Sequence, residues 1–168
     1  MNTTTTDYIN VREKLAQIGC RSPTGLALLP LNLESAASQA DLRQQSEAAT
    51  VKSLLRQAGV ELTDLFNPAY RPPYVQNNDI SWIAPTIFVA AGVLSENSNA
   101  VAVSLSVLAN YLTDFFKGRT GDPTVKLTII VEQTRSKTCK KVSYEGPVDG
   151  LNALATVVKN IQDDTRAP

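Results

Sequence analysis

Histidine is missing from this chain altogether. That absence removes the Ser-His-Asp and Cys-His nucleophile systems and the imidazole ligands of most catalytic zinc sites. Cysteine is nearly as scarce. Cys20 and Cys139 form neither a CxxC redox pair nor a four-ligand zinc pattern, which is the cysteine usage of a reduced, intracellular chain. Charge of one sign is not in excess either, since sixteen basic residues balance sixteen acidic ones. No global field therefore draws the protein to nucleic acid or to an anionic membrane, and nucleic acid is not an expected partner.

Long apolar runs are also absent. No uninterrupted stretch reaches the roughly 20 residues that span a bilayer, and the start of the chain is a polar threonine run without the basic and apolar segments of a secretory signal. A cytoplasmic protein is expected. Gly118-Arg119-Thr120-Gly121-Asp122 lacks the GxxxxGK[ST] order of a phosphate loop. With no paired-carboxylate motif either, no catalytic residue, cofactor or metal site is assigned.

What remains is enough to fold: 43% of the 168 residues are apolar, and one domain of this length has an adequate core. The expected class is α+β, with a mostly helical N-terminal two-thirds, a central apolar helical hairpin and a closing ββα unit. Residues 1–7 read as a flexible tail and residues 8–66 as a helical region. Within it, Ile9, Val11, Leu15 and Ile18 predict a short helix stopped at Gly19. Residues 25–33, broken by Pro30, read as extended, and the Ala-, Gln-, Glu- and Arg-rich residues 33–58 as a helix with a stripe at Ala48, Val51, Leu54, Leu55 and Ala58.

Residues 67–84 read as a Pro- and aromatic-rich loop and residues 85–118 as the helical hairpin, whose arms are joined by Ser95-Glu96-Asn97-Ser98-Asn99. After residue 121 the pattern changes. Val125, Leu127, Ile129 and Val131 alternate, Val142 and Tyr144 do so again, and Leu151, Leu154, Val157, Val158 and Ile161 return to helical spacing behind Asp149 as N-cap. The unit at 124–162 is therefore strand, strand, helix, and residues 163–168 form a tail.

Two clusters stand out as candidate sites. Tyr70, Arg71, Tyr74, Asn77, Asn78, Asp79 and Trp82 gather aromatic, cationic and amide groups on a stretch stiffened by prolines. Stiff aromatic loops lose little entropy on binding and suit protein contacts, although the same aromatics also serve to cover a core edge. Arg135, Lys137, Lys140 and Lys141 form a local cationic group able to hold an anion, against the simpler reading of a solvated hairpin edge that discourages aggregation.

These features favour a non-enzymatic protein–protein interaction or regulatory module, self-associating or a small accessory subunit of a larger assembly. The hairpin and the adjoining loop are its expected contact surface, with Trp82, Tyr74 and Arg71 as anchors. Two alternatives stand beside it. One is a membrane-acting protein that inserts the apolar hairpin, which is not favoured; the other is a small-ligand binder or enzyme using the loop at residues 70–82.

Overall fold

The computed structural model describes residues 2–66, 71–75, 82–118 and 124–163. Its strands are β1 (Asn2–Tyr8), β2 (Leu26–Leu29), β3 (Gln44–Gln45), β4 (Tyr74–Val75), β5 (Trp82–Ile83), β6 (Thr86–Val89), β7 (Val125–Glu132) and β8 (Cys139–Gly146). The helices are α1 (Val11–Gln17), α2 (Ala48–Gln57), α3 (Val93–Glu96), α4 (Ala100–Phe115) and α5 (Leu154–Gln162). A six-stranded mixed sheet runs in the order β1-β8-β7-β6-β2, with β5 also paired to β7. The small parallel pair β3–β4 stands apart from it.

The class is α+β, but the N-terminal two-thirds is mostly strand and loop, not mostly helical. The threonine run expected as a tail is β1, antiparallel to β8 along its whole length, as its β-branched side chains favour. The helix expected over residues 33–58 is confined to α2. Ahead of it, short polar side chains take the backbone's hydrogen bonds: Asn32 donates to the Asp41 carbonyl (2.7 Å) and accepts from the Arg43 N–H (2.8 Å), and Asp41 accepts from the Ala37 N–H (3.0 Å). Such local bonds offer the chain an alternative to helix.

The central hairpin is the larger correction. Its first arm is the strand β6, parallel to β7 and antiparallel to β2. Ile87, Phe88 and Val89 are all buried, because β6 is covered on both faces. A strand in that position reads as a continuous apolar run, which periodicity cannot separate from a buried helix. Of the polar residues 95–99, Ser95 and Glu96 thus end the single turn α3 and 97–99 connect it to α4, and β6-α3-α4-β7 is a crossover between parallel strands.

The other expectations for the first half fare better locally. α1 buries Val11 and Leu15, is capped by Asn10 through the Glu13 N–H, and is followed by Gly19 at φ +80°. β2 lies within the stretch read as extended.

In the C-terminal unit β7 pairs with β8, and a 3-10 segment, Val148–Ala153, precedes α5. Asp149 lies inside that segment and does not cap the helix. Leu127, Ile129, Val142, Leu154 and Val158 share the core. α4 buries Ala100, Val101, Ser104, Leu105, Leu108 and Leu112, packing against α5, α2 and the 3-10 segment. Most of its apolar side chains are covered within the chain, while Ala102 and Val103 face outward, Val103 at 38% exposure. Among the described residues no helix is long and apolar enough to cross a membrane.

Candidate functional site

The sheet's two edges are treated differently. On the β2 side the chain lays residues 62–63 alongside: Leu26 bridges to Leu62, and the Thr63 N–H donates to the Leu26 carbonyl (2.9 Å). On the β1 side no described residue pairs with the outer edge. From Asn2 to Asp7 every residue of β1 is exposed. Its charge, Asp7, is engaged by Lys140 of β8. Tyr8 lies under the Lys141 ammonium, 6.0 Å from the ring centroid, and burial, with Glu34 and Cys139 adding, pushes its hydroxyl up to about 12.

A cavity of about 530 Å³ opens where α2 faces the segments before and after the undescribed residues 67–70. Lys52 and Arg56 reach it from consecutive turns of α2, and Arg71 and Tyr74 from the segment ending in β4. Asp64 accepts from Lys52 Nζ at 2.9 Å. Partial burial pushes the Asp64 carboxyl up, but the Lys52 hydrogen bond and the charges of Lys52, Arg56 and Arg71 outweigh it, so its pKa lies below the ordinary value. A carboxylate held ionised in this way is a weak proton acceptor.

Of the loop residues singled out from the sequence, Tyr70, Asn77, Asn78 and Asp79 lie outside the described residues. Arg71 and Tyr74 come together at the cavity, Tyr74 about half exposed at 49%. Trp82 does not join them. It is buried in β5, its ring 6.2 Å from that of Tyr111 on α4, and its indole N–H has no hydrogen-bond partner among the described residues.

The cationic group divides. Lys140 and Lys141 are neighbours on β8 and so point to opposite faces of the sheet; the first meets Asp7 and the second Tyr8. Arg135 and Lys137 sit in the connecting turn, Lys137 at φ 59°. Both cysteines are free. Burial raises the thiol pKa of each, which for Cys139 is opposite to the lowering its lysine neighbours suggest. Among the described residues no three His, Cys, Asp or Glu side chains gather as metal ligands.

Sequence reasoning passed over Lys52, Arg56 and Asp64. The readable signal was the pair of cations four apart on a segment read as helix. Set against family models, curated proteins and solved structures, the chain finds no match.

Proposed function

We propose that the protein is a non-enzymatic interaction module that associates with a second copy of itself through the outer edge of β1. The observation that carries this reading is the open edge itself: seven extended residues with no described partner on their outer side, whereas the opposite edge is met at Leu26 by Leu62 and Thr63. Exposed edges are usually blunted by proline, lysine, a bulge or a covering loop. Among the described residues β1 has none of these; its one charge, Asp7, is engaged by Lys140, and four of its residues are threonine.

Its side chains suit self-pairing. Backbone groups directed to the free edge alternate along a strand, so a symmetric antiparallel pair must place its two-fold axis at a residue facing its own mate. With the axis at Thr5, Thr4 faces Thr6, Thr3 faces Asp7 and Asn2 faces Tyr8, which brings no like charges opposite each other. An axis at Thr4 is equally free of such clashes.

Pairing of this length forms about six to eight hydrogen bonds between chains, each contributing roughly 0.5–1.5 kcal/mol net. Association costs about 4–15 kcal/mol in lost freedom, so the dimer is weak and concentration-dependent. The double variant Thr4→Lys/Thr5→Lys sets like charges face to face at the axis while leaving the β1–β8 pairing intact. In sedimentation across micromolar to millimolar concentrations, the wild type should shift toward dimer and the variant remain monomeric. Equal behaviour of the two chains would refute the edge as the contact.

A further inference from the structure

The cavity beside α2 is built for charge of one sign. Lys52, Arg56 and Arg71 line it, and Asp64 is the carboxylate that faces them, so three positive groups against one negative leave an excess of two. Lys52 is committed to Asp64 at 2.9 Å, whereas Arg56 and Arg71 are exposed. Guanidinium groups match carboxylate and phosphate oxygens in a two-pronged fashion.

The rest of the wall is mixed, with Gln44, Gln57 and Thr63 beside an apolar side. Leu62, Phe66 and Tyr74 line the cavity, and α2 presents small residues there, Ala48, Ala49 and Ser53, where larger ones would fill the space. A volume of about 530 Å³ lies in the roughly 300–1,000 Å³ range of small-molecule sites. Free anions such as phosphate use the cationic side of such a cavity and leave the apolar side wet.

We propose that this cavity binds a small organic anion, with a carboxylate or phosphate head held by Arg56 and Arg71 and a compact apolar or aromatic body against Leu62, Phe66 and Tyr74. The site is independent of the β1 edge. Isothermal titration of the full chain with four probes tests it: phenyl phosphate, benzoate, inorganic phosphate and benzyl alcohol.

At least one aromatic anion should bind about tenfold or more tightly than both inorganic phosphate and benzyl alcohol, since head and body each contribute. Whichever of phenyl phosphate and benzoate binds more tightly identifies the head group. Arg56→Gln and Arg71→Gln should each weaken binding about tenfold, in line with the loss of one charge-assisted hydrogen-bonding partner. Ala49→Phe, at an exposed helix position on the rim, should block the aromatic body with the cations still in place. Amide shifts in the wild type on adding the tighter probe should centre on Ala49, Ser53 and Arg56. No saturable binding of either aromatic anion, affinity unchanged in both arginine variants, or shifts centred elsewhere would overturn the assignment.

Discussion

Glu132 shows what a single buried charge demands of its surroundings. At 2% exposure its carboxylate accepts from Arg12 Nε at 2.8 Å and from the Ala91 N–H at 2.8 Å. Nearby, Gln162 donates to the carbonyls of Ala90 (2.9 Å) and Glu132 (3.2 Å) and accepts from the Leu94 N–H. These bonds tie α1, the turn after β6, the end of β7 and the end of α5 together at one end of the sheet. Removing one partner of a buried pair leaves a charge uncompensated, while replacing both by apolar groups can be nearly neutral. Arg12→Ala should therefore cost about 2–3 kcal/mol in urea unfolding, held below the fully buried range by the 36% exposure of Arg12. Arg12→Met/Glu132→Leu should cost less than that single change, and a double variant worse than the single one contradicts the account.

Tyr8 gives the molecule an alkaline limit. Its hydroxyl titrates at about 12 against an ordinary 10.0, so the unfolded chain loses this proton first as pH rises. Between those values the folded state binds more protons than the unfolded state, and stability falls with increasing pH. Tyr8→Phe should flatten that decline, read as the unfolding midpoint in urea between pH 9 and 12. An unchanged slope would show that Tyr8 ionises as freely in the fold as outside it.

At the scale of elements, what could be read from the residues was what local pattern alone decides. α1, with its apolar spacing and Gly19 stop, and the alternating strands β7 and β8 obey rules that involve only near neighbours in the chain. β6 does not, because its assignment depends on β2 and β7 covering its edges and on packing against both of its faces. Residues 32–43 failed for another reason, their helix-favouring composition being overridden by the side-chain bonds of Asn32 and Asp41. The candidate site was half visible: Arg71 and Tyr74 stood out by composition, whereas Lys52, Arg56 and Asp64 acquire meaning only once α2 is folded beside residues 62–66. Leu154 tests the closing unit, being 2% exposed on α5. Leu154→Asp should destabilise by about 3 kcal/mol or more, since it places a carboxylate in the core, and wild-type thermal stability would contradict that packing.

Among the described residues the six-stranded sheet of the molecule has one edge met at Leu26 by the chain and one open edge. Most of the apolar surface that suggested a partner chain from sequence packs among β6, α2, α4 and α5, and the case for self-association rests instead on unpaired backbone. A strand-edge contact is small, below the roughly 1,200 Å² of stable specific interfaces, and suits an interaction that forms and dissolves with concentration. The most direct measurement is oxidative cross-linking of single-cysteine variants, with Cys20 replaced by serine, the buried Cys139 by alanine, and one cysteine placed in turn at Thr3, Thr4, Thr5 and Thr6. Cross-linking needs the two Cα atoms within roughly 4.4–6.8 Å, so disulfide-linked dimer should peak at the residue on the two-fold axis, Thr4 or Thr5, and fall away on both sides. Uniformly low yield along β1, or a yield that rises steadily toward one end of the strand, would contradict the pairing.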